Sequence, residues 1–498
     1  MRLGDLIDGM TILDFQGDPD LEIPAIAYDS RLIQPGGLFV ALRGHRQDGH
    51  DYIGDAISRG AAAVLSELPR PVRAGEQANR VAMIQVPDAR RTLSGLAVRF
   101  FDAPFKNVNL IGITGTNGKT TTAYLLESIL VAAGKRPGVI GTINYRFPEH
   151  VLEAPVTTPE SLDLMQTLHK MADSAVTDVV MEVSSHSLDQ GRVRDCRFQV
   201  AVFTNLSQDH LDYHGSMEAY FEAKARLFRP SQERGDSGPP HAVINADDPR
   251  GRDLIELTKA RIITYGMGKG CLIRAEDVHV SRAGLKARLI TPAGETDIAS
   301  ALIGAHDIYN IMAAAGAAWV MGIALESIYA GILRLRGVPG RLEWVKNRRG
   351  LALIVDYAHT PDALLKALQA VRLLTTGRVI TVFGCGGDRD RGKRKEMGRI
   401  AGMGSDKVFI TSDNPRTEDP AAIAAQIEAG VMESGIRDYV LDLDRNRAIQ
   451  QAVRIAHDGD LVLIAGKGHE TYQIVGRQKR SFDDRVAAAE AANESGDG

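Results

Sequence analysis

A glycine-rich segment of the chain has the residue types and spacing of a phosphate-binding loop. Residues 114–120 read Thr-Gly-Thr-Asn-Gly-Lys-Thr, after an apolar run at 108–114 and before a helical pattern at 120–133. In that context glycines let backbone N–H groups turn towards phosphate oxygens, the lysine reaches the terminal phosphates, and the last threonine can ligate Mg²⁺. The general pattern has glycine where this chain has Ile113, so the loop is a variant. We predict nucleotide binding here rather than a chance glycine-rich turn.

Acidic and histidine side chains follow the next two predicted strands. Glu182 lies in the apolar run 179–184, where a carboxylate can ligate Mg²⁺ through oxygen. The segment after the next run, 200–204, carries four such side chains: Asp209, His210, Asp212 and His214. A lone histidine is normally structural, but this clustering favours a functional role for His210. Lys224 lies in a helical pattern and, from that pattern alone, is a solvated helix lysine.

An arginine in a stiff loop can recognise a carboxylate. Residues 412–416 read Ser-Asp-Asn-Pro-Arg after the strand-like run 407–411, and proline restricts both itself and the residue before it. A guanidinium presented in this way can pair with a carboxylate through two hydrogen bonds, and Arg389 can supply another guanidinium. A surface turn with an exposed arginine is the alternative, since Asp-Asn-Pro favours turns. The loop 384–387 lacks the G-x-G-x-x-G spacing, so we reject NAD binding.

The elements around these motifs predict an α/β protein of about three domains, as the length of 498 residues also suggests. In residues 1–89, short strand-like runs between Gly/Pro turns predict a small mixed α/β domain. In residues 90–339, strands alternating with helices predict a doubly wound parallel sheet that carries the P-loop. An antiparallel insert is expected at 274–298 and a buried helix at 313–325. Residues 340–498 predict a Rossmann-like open α/β domain, with ligands at the carboxyl ends of its strands.

Charge and cysteine content argue against several classes of protein. The 59 basic and 63 acidic side chains give a net charge of -4, so no general basic field exists to hold nucleic acid or an anionic membrane. Three widely spaced cysteines indicate neither a disulfide framework nor a cysteine zinc site. No signal peptide opens the chain, and the longest apolar stretch is shorter than the ~20 residues of a membrane span. We expect a cytoplasmic monomer that uses neither nucleic acid nor a membrane.

Taken in order, these segments resemble the Mur ligase superfamily. The likeness covers nearly the whole chain and rests on the loop 114–120, the strand ending near Glu182, the segments 205–210 and 304–310, and Arg341. Within the superfamily, ligases that add meso-diaminopimelate to UDP-N-acetylmuramoyl-L-alanyl-D-glutamate are the most similar. The resemblance implies three domains and an ATP-driven reaction of peptidoglycan synthesis. In that reaction a substrate carboxylate becomes an acyl phosphate, and an amine then captures it.

The resemblance implies roles for residues around the triphosphate. ATP, as co-substrate, is expected to bind Thr114, Gly115, Thr116, Asn117, Gly118, Lys119, Thr120, Asn310 and Arg341. Mg²⁺ is the implied cofactor, with Thr120, Glu182, His210 and Lys224 as ligands. Lys224 is implied to carry a carbamate (N6-carboxylysine), whose carboxylate helps to fix a second Mg²⁺. The implied catalytic residues are Lys119, Lys224, His210 and Asp356. By pattern alone, the segment 356–361 is a helix cap with a proline turn.

Two further substrate sites are implied by the same resemblance. Residues 1–89 resemble a UDP-binding domain. The implied contacts of the UDP-muramoyl dipeptide are Ser30, His45, Arg46, Gln47, Thr157, Thr158, Ser184, Gln190 and Arg192. Those of diaminopimelate are Arg389, Asp413, Asn414, Pro415, Arg416, Gly466 and Glu470. Glu470 would meet the distal ammonium group, and Gly466 would let the backbone approach closely. The expected partners are therefore small-molecule substrates.

Three alternatives stay open. A lysine-adding ligase of the same superfamily would have no use for Arg416, because lysine lacks the distal carboxylate and would leave a buried guanidinium unpaired. A folylpolyglutamate-type synthetase would not need a UDP-type N-terminal domain. A non-catalytic switch that binds ATP to regulate a partner would not need the convergent charged loops of the third region.

Overall fold

The structure, a computed structural model, describes residues 1–44, 47–69, 81–230 and 238–494. The chain forms two compact units. The first comprises Met1–Gly112, Arg136–Gln199 and Pro230–Pro239, and the second Ile113–Lys135, Val200–Arg229 and Pro240–Gly498. Each unit is described by itself below, with elements numbered along the chain. The three cysteines are free and buried.

The N-terminal part of the first unit is a five-stranded sheet with three helices. Its elements are α1 (Leu3–Ile7), β1 (Asp14–Gln16), β2 (Ile26–Ala27), β3 (Leu38–Val40), α2 (Ile53–Ser58), β4 (Ala63–Ser66), β5 (Ala82–Gln85) and α3 (Ala89–Phe100). The strand order is β1-β5-β4-β3-β2. All neighbours are parallel except β1, which runs antiparallel to β5. The predicted mixed α/β region is confirmed, and Phe39 and Val64 are fully buried in its core.

The next stretch of the chain contains β6 (Asn109–Thr114), α4 (Lys119–Ala132), β7 (Pro137–Ile140), β8 (Asn144–Phe147), β9 (His150–Glu153), α5 (Ser161–Asp173), β10 (Asp178–Glu182) and α6 (Ser185–Asp189). Within the first unit β7 pairs in parallel with β10, and β8 and β9 extend β7 as an antiparallel hairpin. Sequence reasoning anticipated the parallel strands but not the hairpin. Its sequence signal is the alternation of buried Tyr145 and Phe147 with half-buried neighbours, which is typical of a strand covered on one face.

The middle of the second unit contains β11 (Phe198–Phe203), α7 (Leu211–His214), α8 (Met217–Ala225), β12 (His241–Asn245), α9 (Pro249–Leu257), β13 (Arg261–Tyr265), β14 (Arg274–Ser281), β15 (Gly284–Thr291), β16 (Gly294–Ser300), α10 (Asp307–Val320) and α11 (Leu325–Arg334). Strands β11, β12 and β13 are parallel, and β14 to β16 form the predicted antiparallel insert. The buried helix predicted over 313–325 is present as far as Val320, but it does not continue to 325. Gly322 has a φ of 76°, a left-handed conformation that ends α10 before α11 begins.

The C-terminal part of the second unit is an open α/β sheet. Its elements are β17 (Glu343–Trp344), β18 (Ala352–Asp356), α12 (Pro361–Leu373), β19 (Val379–Phe383), α13 (Gly392–Gly404), β20 (Lys407–Ile410), α14 (Pro420–Glu433), β21 (Tyr439–Leu441), α15 (Arg445–Arg454), β22 (Leu461–Ala465), β23 (Tyr472–Val475), β24 (Gln478–Ser481) and α16 (Asp484–Glu494). The strand order is β17-β18-β22-β19-β20-β21, parallel except for β17. The carboxyl ends of β18, β19, β20 and β22 therefore share one edge, where ligands bind in such sheets.

A buried ion pair holds helices to that edge. Arg445, at the start of α15, donates from Nε and Nη2 to the two carboxylate oxygens of Asp484, each at 2.7 Å. Both side chains are almost completely inaccessible to solvent. The same guanidinium donates to the carbonyl oxygens of Ala465, at the end of β22, and of Ser412, in the loop after β20. The pair thus connects two helices to two of the loops that leave the sheet.

We expect Asp484→Asn to destabilise the C-terminal sheet by about 3–5 kcal/mol, because it leaves a buried guanidinium without its counter-charge. Urea unfolding followed by fluorescence measures this, since Trp344 packs against the core of this sheet. Glu433→Gln is the control, because Glu433 forms an exposed pair with Lys395 and its loss should cost less than ~1 kcal/mol. Equal stabilities of the two variants would contradict a structural role for the buried pair.

Candidate active site

The phosphate-loop segment lies between β6 and α4, and its two inner glycines allow close contacts. Gly115 and Gly118 have φ values of 147° and 88°, which favour glycine. A Cβ atom at Gly115 would lie 1.9 Å from the hydroxyl oxygen of Thr204, and one at Gly118 would lie 2.3 Å from Oδ1 of Asn310. Any larger residue would therefore push the loop away from its supports. The structure places Asn310 beside the predicted loop, and its contact with a nucleotide stays a prediction.

Two lysines converge on one carbonyl group of this loop. Lys119 Nζ donates to the carbonyl oxygens of Gly115 at 2.9 Å and Thr116 at 2.8 Å. Lys224 Nζ, which reaches in from α8, also donates to Gly115 O, at 2.8 Å. Lys224 is 1% exposed and lies over the ring of Tyr220, 4.4 Å from its centroid. The interpretation of Lys224 as a solvated helix lysine is therefore wrong, because the face of α8 that carries it is buried.

Burial changes the proton affinity of Lys224. Loss of solvent lowers the pKa of its amine well below the usual lysine value, and the positive charge of Lys119 lowers it further. The carboxylate of Asp209 opposes these two effects only in part. A buried amine with a lowered pKa is uncharged more often than a surface lysine, so it can act as a nucleophile.

Four titratable side chains cluster next to α7: Asp209 and Lys393 are buried, and His210 and His359 are half-buried. Asp209 lies before His210, whose Nε2 is 3.4 Å from an Asp209 oxygen. Burial opposes the ionisation of Asp209, but the charges of His210, His359 and Lys393 outweigh it and lower the pKa of Asp209. Burial and the charge of Lys393 lower the pKa of His359 to about 4, so that imidazole is neutral at pH 7. His210 itself has a φ of 55°, a conformation uncommon outside glycine and found near functional sites.

The loop between α11 and β17 brings an arginine to the phosphate loop. Arg341 donates from Nη2 to the hydroxyl of Thr120 at 3.2 Å and stacks on the ring of Tyr357 at 4.5 Å. Asp356 holds this loop, because its carboxylate accepts hydrogen bonds from the backbone N–H groups of Leu342 (2.7 Å) and Ala358 (2.8 Å). Burial raises the pKa of Asp356. In the structure Asp356 thus positions Arg341.

The segment after β18 also supports the phosphate loop. Thr360 caps α12 by accepting a hydrogen bond from the Ala363 N–H at 3.2 Å, with Pro361 at the first helical position. The expected helix cap with a proline turn is confirmed. Asp362, in the first turn of α12, accepts a hydrogen bond from the Asn117 side chain at 2.8 Å. The C-terminal sheet and the phosphate loop are therefore in direct contact within the second unit.

Two arginines approach each other at the ends of β19 and β20. Arg416 Nη1 donates to the Gly387 carbonyl oxygen at 2.7 Å, and Arg389 lies two residues further along that loop. Burial and the positive charge of Arg389 lower the pKa of Arg416. Gly387 permits close packing of the loops, since a Cβ atom there would lie 1.9 Å from the Pro415 carbonyl oxygen. A half-buried guanidinium next to a second positive charge forms a place that an anion would stabilise.

Glu470 and its neighbours line the adjacent edge of this site. Its carboxylate accepts hydrogen bonds from the Asn414 side chain at 2.8 Å and from Lys467 Nζ at 2.9 Å. Asn414 in turn accepts from Lys467 at 3.2 Å. Gly466 has a φ of 116°, and a Cβ atom there would lie 2.7 Å from a carboxylate oxygen of Asp413. The structure thus brings together all seven residues predicted to contact diaminopimelate.

In the first unit, Glu182 ends β10 and is buried. Its carboxylate accepts hydrogen bonds from the backbone N–H (3.0 Å) and the hydroxyl (2.9 Å) of Thr142. Gly141 permits this approach, because a Cβ atom there would lie 2.4 Å from Glu182 Oε1. The Thr142 hydroxyl also lies 3.2 Å from that of Thr157. Glu182 is therefore an oxygen donor held in one orientation, as a metal ligand has to be, and its role as one stays a prediction.

Most residues predicted to contact the muramoyl dipeptide surround Glu182. The Thr158 hydroxyl donates to the Glu182 carbonyl oxygen at 2.8 Å and accepts from the Ser184 N–H at 3.0 Å. Arg192 donates to the Thr158 carbonyl oxygen at 3.0 Å and to the Gln190 side chain at 2.7 Å. These polar residues form one hydrogen-bonded cluster, with Thr157 reaching it through Thr142.

The residues predicted to hold uridine diphosphate are less defined. Ser30 is buried at the start of a short 3-10 turn, and its hydroxyl lowers the pKa of Asp55 by hydrogen bonding to it. Gln47 is exposed. His45 and Arg46 lie outside the described residues. The same unit joins its N-terminal sheet to α5 through a hydrogen bond between Tyr28 and Asp163.

Sequence reasoning missed four charged residues of the second unit: Lys393, Arg394, Glu418 and Lys467. Lys393 and Arg394 lie in the basic run 391–395, which reads as a solvated surface, yet both are buried at the start of α13. Lys467 carried a usable signal, because glycines flank it directly after a strand. Glu418 carried no usable sequence signal, because its partners are distant in sequence.

The described ranges contain no cluster of three or more histidine, cysteine, aspartate or glutamate side chains that would hold a metal ion alone. Mg²⁺ usually keeps several waters and binds one or two carboxylates together with substrate phosphates, so a cage made of protein is not required. Across the described part of the chain, no helix combines the length and apolar character that crossing a bilayer demands.

Three family models match the chain. Residues 22–101 match the Mur ligase family catalytic domain, residues 113–318 the Mur ligase middle domain, and residues 340–468 the Mur ligase glutamate ligase domain. The matches follow one another along the chain without overlap. They agree with the predicted three-domain α/β architecture, whose boundaries at 89/90 and 339/340 stay predictions.

The chain is also similar to whole proteins. It is 47% identical to the UDP-N-acetylmuramoyl-L-alanyl-D-glutamate--2,6-diaminopimelate ligase of Geobacter metallireducens, over 99% of each chain, and 48% identical to that of Gloeobacter violaceus, over 99% of this chain and 98% of the relative. A solved structure of a ligase with this name is 34% identical, with a TM-score of 0.68 over 99% of this chain and 98% of that one. Folylpolyglutamate synthase from Mycobacterium tuberculosis complexed with ADP shares the fold alone, at 20% identity and a TM-score of 0.61 over 74% of this chain and 90% of that one. The chain belongs to the Mur ligase family.

Proposed function

We propose that this chain uses ATP to join meso-2,6-diaminopimelate to UDP-N-acetylmuramoyl-L-alanyl-D-glutamate, a step of peptidoglycan synthesis. Relatives that carry this name are 47% and 48% identical over almost their full length. The observation that supports the choice of amino acid is the pair Arg389 and Arg416 at the ends of β19 and β20. Half-buried Arg416 and exposed Arg389 place two positive charges at this edge, which suits a substrate that brings its own negative charge.

The reaction proceeds in two steps. A carboxylate oxygen of the dipeptide attacks the γ-phosphorus of ATP, which forms an acyl phosphate and releases ADP. The uncharged amine of the amino acid then attacks the acyl carbon, the C–N bond forms, inorganic phosphate leaves, and the nitrogen loses a proton. Lys119, with two hydrogen bonds to the loop it stabilises, is placed to offset charge on the transferring phosphoryl group.

Residues of the second unit fit a magnesium-dependent reaction if Lys224 is modified. The Thr120 hydroxyl is a hard oxygen donor, but an amine is a poor ligand for Mg²⁺. The uncharged Lys224 nitrogen attacks the carbon of CO₂, an N–C bond forms, and the nitrogen loses one proton to solvent. The resulting carbamate supplies carboxylate oxygens. Mg²⁺, when bound, would offset phosphate charge. The proposed ligands in the second unit are Thr120, His210 and carbamylated Lys224.

The amino-acid site favours a substrate with two charged ends. Arg416 and Arg389 would bind the distal carboxylate, and Glu470 the distal ammonium group. Lysine has that ammonium group but no distal carboxylate, so its binding would desolvate the guanidinium groups without pairing them. Each unpaired charge of this kind costs more than a lost neutral hydrogen bond. Strong discrimination against lysine follows. The remaining residues of the loop, Asp413 to Pro415, would hold the arginine in place.

The proposed function predicts both substrate dependence and amino-acid preference. Sustained release of ADP over many turnovers should require both the UDP-dipeptide and diaminopimelate, and mass spectrometry should find the tripeptide product. In Arg416→Ala, kcat/KM for diaminopimelate should fall by roughly 100-fold or more, since a charged two-point contact is lost. KM for ATP should stay within about twofold, because the phosphate loop is unchanged.

The matched control is Arg480→Ala, because Arg480 is exposed on the β23–β24 hairpin. It should behave like the unaltered enzyme. Equal ADP release without any amino acid would favour an ATP-dependent switch. A preference for lysine in the unaltered enzyme would favour a lysine-adding ligase, and activity with a folate in place of the UDP-dipeptide would favour a folylpolyglutamate synthetase.

Carbamylation of Lys224 makes activity depend on CO₂. Removing CO₂ from buffer and enzyme should lower kcat, and bicarbonate should restore it. Acid protonates the amine and reverses carbamate formation, so more bicarbonate should be needed as the pH falls. Lys224→Met should lose at least roughly 100-fold in kcat, the scale of losing one preorganised electrostatic contact, and bicarbonate should not restore it.

Lys170→Met provides the comparison, because Lys170 is exposed on α5 and its substitution should leave the response to bicarbonate intact. Intact-protein mass spectrometry under mild conditions should detect the mass of one CO₂ on the unaltered chain and not on Lys224→Met. Full activity of Lys224→Met would contradict the modification.

A further inference from the structure

Two separate loops carry the arginines of the amino-acid site. Arg389 lies on the loop between β19 and α13, and Arg416 on the loop between β20 and α14. A single distal carboxylate can pair with both guanidinium groups only if their spacing is fixed. Some contact between the loops has to hold that spacing, because the strands position only the beginnings of the loops.

Glu418 makes such a contact. Its Oε1 accepts hydrogen bonds from the backbone N–H of Asp388 at 2.6 Å and from Nη2 of Arg394 at 2.9 Å. Its Oε2 accepts from Nη1 of Arg394 at 3.1 Å and lies 3.2 Å from Nη2 of Arg391. The hydrogen bonds from Arg394 lower the pKa of Glu418 to about 2, so it is ionised at every working pH. Asp388 is the residue directly before Arg389, so one carboxylate from the second loop fixes the backbone of the first.

Arg394 completes the connection from the other side. It is fully buried at the start of α13 and pairs with both oxygens of Glu418, the geometry in which guanidinium and carboxylate bind most strongly. The same guanidinium donates to the Gly386 carbonyl oxygen at 3.3 Å and to the Gln426 side chain of α14 at 3.1 Å. Arg394 therefore links the first loop, the second loop and two helices.

The backbone of both loops is in a conformation that needs support. Asp388 and Arg416 each have a φ of 52°, in the left-handed region that is unfavourable for residues other than glycine. Such conformations persist when surrounding contacts determine them. The hydroxyl of Thr417 donates to the Asp388 carboxylate at 2.8 Å, which adds a third connection directly beside Arg416. These contacts therefore fix the backbone of the loops that carry Arg389 and Arg416.

We propose that Glu418 and Arg394 are positioning residues that fix the spacing between Arg389 and Arg416 and so set the preference for an amino acid with a distal carboxylate. This inference rests on the proposed function. Neither residue touches the substrate. When the pair is lost, the loops relax, the spacing of the two guanidinium groups is no longer fixed, and the unpaired-charge penalty that rejects lysine becomes smaller.

The test uses the full-length enzyme with Glu418→Gln and Arg394→Lys. The first substitution removes the charge of the acceptor, and the second keeps a cation but removes the two-point fork. KM for diaminopimelate should rise about tenfold or more, since misplacement of a binding group by ~1 Å can cost as much as 100-fold. KM values for ATP and the UDP-dipeptide should stay within about twofold. The ratio of kcat/KM for diaminopimelate to that for lysine should fall about tenfold.

Glu396→Gln is the matched control, because Glu396 also pairs with an arginine, Arg399, but within α13 and away from both loops. In Glu396→Gln, the ratio of kcat/KM for diaminopimelate to that for lysine should equal that of the unaltered enzyme. The ratio of two kcat/KM values does not depend on the amount of active enzyme, so partial unfolding of a variant does not affect it.

Two outcomes separate this inference from the proposed function. If the unaltered enzyme does not use diaminopimelate, the proposed function is wrong. Suppose instead that the unaltered enzyme does use diaminopimelate. The positioning role of Glu418 and Arg394 is then wrong if Glu418→Gln and Arg394→Lys keep the ratio of kcat/KM for diaminopimelate to that for lysine. It is also wrong if both variants raise KM for all three substrates equally.

Discussion

The carbonyl oxygen of Gly115 accepts hydrogen bonds from two lysines, and much of the second unit is arranged around that contact. Lys119 comes from the loop itself and Lys224 from α8, so two amines converge where β6 ends. Water is excluded from Lys224, which makes its positive form costly and its neutral form accessible. A negatively charged group stabilises a site of this kind. A bound triphosphate or a carbamate on Lys224 can each supply that negative charge.

The same physical arrangement recurs at the amino-acid site. Arg389 and Arg416 lie on neighbouring loops, and their mutual repulsion adds to the desolvation of Arg416. Contacts outside the two sites hold their loops in place. Asp356 holds the loop of Arg341, Arg445 joins the ends of β20 and β22, and Asp362 reaches Asn117 of the phosphate loop. Repulsion between like charges destabilises the folded state, and these buried hydrogen bonds offset that cost. Substrate binding would stabilise the folded state further.

Elements with a strong local signal could be predicted from the sequence. Strands β19 and β22 have the bounds that their apolar, β-branched runs indicate, because a fully buried parallel strand needs such a run. The loop 114–120 was recognisable since glycine, lysine and threonine occur at a strand-to-helix junction. Arg416 was recognisable because proline precedes it. In each case the determining information lies within a few residues.

Other features depend on partners that are far away in the chain. Burial of Lys224 requires the phosphate loop to fold against α8, and nothing in the composition of α8 indicates it. Arg394 reads as part of a basic surface run, yet it pairs with Glu418, 24 positions away. The break between α10 and α11 at Gly322 was visible but was outweighed by apolar residues on both sides. Long-range pairing and a single left-handed glycine are the kinds of information that hydrophobic periodicity does not contain.

The most direct test of phosphoryl transfer to a carboxylate is positional isotope exchange in ATP. The bridge between the β and γ phosphates is labelled with heavy oxygen, and the enzyme is given the UDP-dipeptide without any amino acid. If an acyl phosphate forms reversibly before the amine is captured, the label should move from the bridge to a non-bridging position of the β phosphate. No movement of label in an enzyme that turns over with all three substrates, or movement that needs diaminopimelate, would contradict this order of steps.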